Sequence, residues 1–252
     1  MTWWRVYSRA RSQKVALEGS LAGASAFLVG GSPRLLELDL RLMSLPGVWS
    51  MAMNNAAVIF EPQAFISVDM ASCFNYNIFS NPRIMKMMNY SRHDNVVDGK
   101  RLCLYPNTFF FDAQTEEEVM MSEFCRLEGP LPLWRQTIFT AIAALYQLGF
   151  RRVYMLGCTF DVSGGAYAHG KDITDDQKQR NQKQYDDVTE SLRELVPRLS
   201  DEGMELSTCH DGTVLEGIAP YVSFTDAITQ VVTEATSIEF NDYRHVAEES
   251  KR

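Results

Sequence analysis

Five short segments of this 252-residue chain carry the residue types that hold ligands and move protons. In Gly30-Gly31-Ser32-Pro33 two missing side chains let backbone N–H groups come close to an anion, and the helix start favoured by Pro33 adds partial positive charge. The segment is neither G-x-G-x-x-G nor a Walker loop, so alone it reads equally as a plain strand-to-helix turn. Asn54 and Asn55 offer amide donors and acceptors to a base or sugar, or a cap to the next helix. Asp69 suits a ribose hydroxyl, a metal ion or a cap. The densest stretch runs from Gly157 to Gly170 and combines glycines with Asp161, Ser163, Tyr167 and His169. His169 titrates near neutrality and fits a general base, and His210, beside Asp211 in the turn Cys209 to Thr213, is its rival. No group of residues has metal-ligand spacing.

Each of these segments follows an apolar run. Ser25–Val29, Val48–Met53, Ala64–Val68, Val153–Leu156 and Met204–Ser207 read as strands buried on both faces, as in a parallel sheet. Leu102–Tyr105 and Thr108–Phe111 are further strand candidates, and Met85, Met87 and Met88 read as core filling. Helical periods appear after Pro33 (Leu35, Leu36, Leu38, Leu42), in a short Ala-rich segment after Asn55, and from Pro132 to Leu148, where Trp134, Ile138, Ala141, Ile142 and Leu145 share a face ahead of a Gly149 cap. Gln177 to Leu199 is a long amphipathic helix, and a last helix follows Thr213. Strands alternating with helices predict an α/β fold: a single Rossmann-like domain, a mostly parallel sheet with helices on both faces. In such sheets ligands bind beyond the carboxyl ends of the strands, where all five segments fall.

Composition narrows the function. Hydrophobic residues are 46% and charged residues 22%, an ordinary globular balance. The net charge of −8 argues against duplex nucleic acid as a partner. Five scattered cysteines, none in C-x-x-C, fit neither a disulfide framework nor a zinc site and point to a reducing compartment. No apolar run has the length of a transmembrane span. Arg5, Arg9, Arg11 and Lys14 precede the apolar stretch Leu21–Val29, yet no A-x-A-like cleavage site follows, so the expected location is cytoplasmic. Residues 1–24 read as a basic lead-in of helical character anchored by Trp3 and Trp4, residues 25–236 as the nucleotide(-sugar)-binding catalytic domain, and residues 237–252 as a polar tail.

With these pieces in order, the stretch from Gln136 to His169, together with Gly30-Gly31-Ser32-Pro33 and the strand-end Asn54 or Asn55, resembles bacterial lipooligosaccharide sialyltransferases. A related layout is that of the 6-hydroxymethylpterin diphosphokinase-like family. The resemblance covers residues 25–70 and 133–225, about half the chain. It implies a Rossmann-like fold holding CMP-sialic acid, with donor contacts falling on Gly31, Ser32, Asn54 or Asn55, Thr137 and Tyr167. The chain departs from that family at several points. Residues 177–190 lack the family's His, Gly-Ser-Pro stands for Gly-Pro-Ser, Asp69 stands for a second Asn, and Cys158-Thr159 for Ile-Asp. His169 would then have to replace the missing base, and sialic acid is no longer implied as the sugar.

The expected function is inverting transfer of a sugar from a nucleotide-activated donor, of CMP or UDP type, to an acceptor hydroxyl. His169, Asp161 and His210 are the catalytic candidates, and Gly30, Gly31, Ser32, Asn54, Asn55, Asp69, Thr137, Gly157 and Tyr167 form the donor site. Lys171 joins Thr137 and Tyr167 as a candidate for stabilising the leaving phosphate. No further cofactor is required. Alternatives are phosphoryl transfer with magnesium held by Asp69 and Asp161, or a nucleotide-binding module without catalysis. The reading leaves the acceptor unspecified and homo-oligomer formation open.

Overall fold

A computed structural model describes residues 4–8, 11–115, 124–126, 129–133, 136–161, 167–170 and 174–235. Strands β1 (Trp4–Ser8) and β2 (Arg11–Val15) open it as a hairpin. β3 (Ser25–Val29), β4 (Ser50–Met53), β5 (Ala64–Ser67) and β6 (Met85–Asn89) then pair in parallel succession. β7 (Val96–Val97) and β8 (Lys100–Arg101) form a separate small hairpin, after which β9 (Thr108–Phe111) returns to pair with β6. β10 (Ala113–Gln114) and β11 (Leu131–Pro132) make a second small pair. β12 (Arg152–Leu156) and β13 (Glu205–Thr208) complete a nine-stranded sheet of order β13-β12-β3-β4-β5-β6-β9-β1-β2. Every pairing from β13 to β9 is parallel, and the β9–β1 and β1–β2 pairings that follow are antiparallel.

Side chains alternate between two apolar layers. Leu28, Met51, Met87 and Val153 meet α2 (Thr137–Leu148) and α3 (Asp175–Asp201) on one face. Phe27, Phe65, Phe110 and Tyr154 meet short 3₁₀ turns, α1 (Tyr76–Ser80) and α4 (Phe224–Ala235) on the other. All twelve residues of α2 are buried. It stops at Gly149 with φ 103°, where a Cβ would sit 2.8 Å from Ala22 backbone atoms, so only glycine fits. α3 starts with a capping box between Thr174 and Gln177, and Asp175 and Asp176 favour its positive end. Its second half buries Val188, Leu192, Leu195 and Leu199, each contributing about 2 kcal/mol of burial. Its first half has no such stripe. Among the described residues no helix is long and apolar enough to cross a membrane.

Several expectations need correcting. The lead-in is not helical: residues 4–15 are β1 and β2, which close the sheet edge while Trp4 packs edge-on against Phe111 at 6.0 Å. Their in-out alternation has period two, which the basic residues mask. The leucines after Pro33 form two 3₁₀ turns, Pro33–Glu37 and Leu40–Ser44, capped separately by Ser32 and Asp39. The Asp39 cap breaks what reads as one helical period. Leu102–Leu104 is a 3₁₀ turn, not a strand. Met85, Met87 and Met88 are buried core, as expected, and also belong to β6. Trp3, Arg9 and Trp134 lie outside the described residues.

Lys86 on β6 is wholly buried, and its Nζ donates to the Asn81 carbonyl at 2.8 Å. Desolvation lowers its pKa from 10.5 to about 7. Across the window between those values the unfolded chain binds a proton that the folded chain does not, so stability rises with pH, at up to about 1.4 kcal/mol per unit. Lys86→Met is therefore expected to stabilise most near pH 7 and progressively less toward 10.5. Urea unfolding of both proteins across that range measures the difference, and a pH-independent gap would contradict the assignment.

Candidate functional site

The sheet has one switch point. From β3 the chain passes to the face with the 3₁₀ turns, and from β12 it passes to the α3 face, so the two following turns part above adjacent strands. They touch closely before they part. A Cβ on Gly30 would lie 2.5 Å from the Gly157 carbonyl oxygen, and one on Gly157 (φ 61°) 2.7 Å from that of Gly30. The Ser32 N–H donates to the Gly157 carbonyl at 2.9 Å, and the Thr159 hydroxyl donates to Ser32 Oγ at 2.9 Å. Gly30 and Gly157 thus serve backbone packing. Gly31 differs: a Cβ there would meet only Tyr167 Cδ1, at 3.9 Å, and its N–H has no hydrogen-bond partner among the described residues.

These turns form the floor of a cleft of about 550 Å³, within the range of small-molecule sites. Asn54 and Asn55 enter it from β4, Asp69 from β5, Asp161, Tyr167 and His169 from beyond β12, and Thr137 from the start of α2. Among the described residues, every expected site residue except His210 therefore lines one hollow. Asn54 is fixed: Ser67 Oγ and Thr137 Oγ1 both donate to its Oδ1, at 2.7 and 3.3 Å. That fixes the amide orientation and leaves its NH₂ without a partner among the described residues. The strand-end turn puts Asn54 at φ 52°, a conformation asparagine tolerates better than most residues. Beside it, α2 begins at Gln136, which makes no side-chain bond to the first turn. Helix-start N–H groups and the dipole therefore point at the cleft. The described lining contains no Lys or Arg, so these dipoles are its source of positive potential. Ser163 and Lys171 lie outside the described residues.

The opposite chemistry comes from aromatic and amide groups. The Tyr167 ring stacks on His169 with centroids 5.4 Å apart, and its hydroxyl accepts from Asn181 Nδ2 at 2.9 Å. Tyr185 also faces the cleft, edge-on to Phe160, and burial pushes its phenol pKa well above the usual value. Phe160 has φ 51°, a strained backbone for a bulky residue and a common mark of a functional turn. Asn181, Gln184 and Tyr185 escape a sequence reading because the polar half of α3 looks like a solvated surface. Their i, i+3, i+4 spacing on one helix face is the signal that was there to be read. Ser67, the wholly buried partner of Asn54, carries no signal at all.

His210 is placed elsewhere. It is 3% exposed, lies off the cleft lining, and its Nε2 accepts the Gly157 N–H at 2.8 Å. Burial, then the nearby Arg34, lower its pKa, so the imidazole is neutral and its lone pair already committed. It is a structural neighbour of the site and not a second base. Asp69 and Asp161 both line the cleft, but no three His, Cys, Asp or Glu among the described residues converge to hold a metal.

No protein-family profile matches the sequence, and no curated protein matches it. A solved mammalian sialyltransferase, in complex with Gal-beta-1-3GalNAc-ortho-nitrophenol, is similar over 68% of this chain and 66% of that one, at 12% identity and a TM-score of 0.35. The chain spans just under two thirds of that protein's length.

Two neighbouring glycines should separate packing from ligand approach. Gly30→Ala is expected to cost roughly 2 kcal/mol or more through its clash with backbone. Gly31→Ala should change stability by under about 0.5 kcal/mol while placing a methyl group in the cleft. Urea unfolding midpoints decide it, and equal losses would refute the distinction.

Proposed function

We propose that this protein is a glycosyltransferase-like enzyme that binds a nucleotide-activated sugar in the cleft and transfers the sugar, with inversion, to an acceptor hydroxyl. The observation that carries the reading is the convergence of Gly31, Asn54, Thr137 and Tyr167 on one hollow of about 550 Å³, lined by the Gly31 turn, the start of α2, and aromatic and amide groups. The donor's phosphate would sit against the Gly31 N–H and the start of α2, and its base or sugar against Asn54 and the Tyr167–Asn181 side. His169 would take the proton of the acceptor hydroxyl. The acceptor oxygen then bonds to the anomeric carbon while the bond to the donor phosphate breaks from the opposite face, its electron pair leaving on the phosphate oxygen. Fixed N–H dipoles stabilise that charge without reorganising. Asp161, in the same lining, is the carboxylate that would offset the charge of the imidazolium that forms.

A thermal-shift panel of nucleotides and nucleotide-sugars is the direct test, because a donor that binds only the folded state raises the melting temperature. Nucleotide-sugar hydrolysis or transfer should accompany the shift. His169→Ala should lower turnover by about a hundredfold or more with donor affinity retained. Unchanged turnover removes His169 from the mechanism. Magnesium-dependent ATP consumption would replace the reading with phosphoryl transfer, and binding without turnover would leave a nucleotide-binding module.

A further inference from the structure

The residue that holds the cleft floor lies behind it. The buried His210 ring sits in the turn after β13, with its own backbone fixed: the His210 N–H donates to Thr208 Oγ1 at 3.3 Å, and its carbonyl accepts from Thr213 Oγ1 at 3.3 Å. Since Nε2 accepts the Gly157 N–H at 2.8 Å, the neutral ring carries its proton on Nδ1. Gly157 in turn holds the Ser32 N–H through its carbonyl and packs against Gly30, and Ser32 Oγ takes the Thr159 hydroxyl. Two cleft segments, residues 30–32 and 157–159, are thus linked to one imidazole lone pair.

We propose that His210 is a positioning residue whose unprotonated Nε2 holds the Gly157 turn, so that protonating it loosens the cleft floor and weakens ligand binding there. The binding half of this rests on the reading of the cleft given above. An imidazolium has two N–H donors and no acceptor, so it would face the Gly157 N–H with another donor and leave a buried amide unpaired. The charged groups around the ring are Arg34 and Glu37 from the turn after β3 and Asp211 beside it, with the Arg34 guanidinium bound to both carboxylates. The other titratable neighbours are Cys209 in the same turn, Cys158 after β12, and Asp39 and Tyr221, which line the groove outside. Both thiols are held protonated by burial. Burial and Arg34 keep the folded imidazole below its ordinary 6.5, so the unfolded chain takes up the proton first as pH falls. The hold is complete above 6.5 and is lost as pH drops through the lower, folded value.

The test compares wild type, His210→Gln and His210→Ala. Gln presents an acceptor oxygen at the same bond count as Nε2 but does not titrate. The readout is the hydrogen-exchange protection factor of the Gly157 amide, followed by NMR from about pH 8 to about pH 5 with α2 amides as reference. Wild type should lose protection roughly tenfold on acidification, the cost of one unpaired buried donor, and His210→Gln should not. His210→Ala should lack that protection at every pH; if it does not fold, wild type against His210→Gln decides. Affinity for cytidine 5′-monophosphate and uridine 5′-diphosphate is measured alongside and should follow the same profile. Wild-type protection that ignores pH, or a His210→Gln variant that titrates like wild type, overturns the proposal. If neither nucleotide binds any variant, the nucleotide reading fails while Gly157 protection still judges His210.

Discussion

The site depends on one backbone approach, that of Gly30 to Gly157 at the carboxyl ends of β3 and β12. These adjacent parallel strands send the chain to opposite faces of the sheet, and a hollow opens only if their turns stay in contact before they diverge. Side chains would hold the two carbonyls apart, since either Cβ would come within 2.7 Å of the other turn's carbonyl oxygen. With both residues glycine, the Ser32 N–H reaches the Gly157 carbonyl and His210 closes the turn from behind. A glycine pair that looks like a phosphate loop is therefore half packing device and half cleft lining, with the Gly31 Cα and N–H on the open side.

A chain with net charge −8 can still hold an anion, because the relevant field is local. Charges more than about 8–10 Å away are largely screened at physiological salt. Within the cleft the described lining offers helix-start amides, the Gly31 N–H and the Asn54 NH₂, with no basic side chain. Such donors are already oriented, since Ser67 and Thr137 pin Asn54 and the buried body of α2 pins its own first turn. An oriented dipole pays no ordering entropy when the ligand arrives, unlike a flexible lysine. Acidity of the whole does not preclude an anion at the site.

Strand positions were legible because burial on both faces writes itself as an unbroken apolar run, as in Ser25–Val29 and Ala64–Ser67. The cleft side of each strand end was legible for the same reason, since polar residues there have no core to join. Local capping was not. One 3₁₀ turn ends at Leu38 and Asp39 starts another by accepting from the Arg41 N–H, a break that hydrophobic period does not register. The β1–β2 hairpin was hidden by its charges, because an edge strand shows only half its pattern to the core. The polar half of α3 reads as surface until Tyr167 and Phe160 are seen to lie against it.

By itself the sequence determined the class of fold and which segments crown the sheet, because both follow from local apolar runs and the polar residues that stop them. Only the tertiary structure decided what each crown residue does. His169 and His210 are indistinguishable as loop histidines, yet one stacks on Tyr167 in the cleft and the other spends its lone pair on Gly157 behind it. Gly30 and Gly31 are neighbours of identical type, yet a Cβ on one would meet a carbonyl and on the other only the Tyr167 ring, at ordinary contact distance. The reason is physical: burial and hydrogen-bond partners come from residues distant along the chain, and those contacts do not exist until β3, β12 and β13 lie side by side.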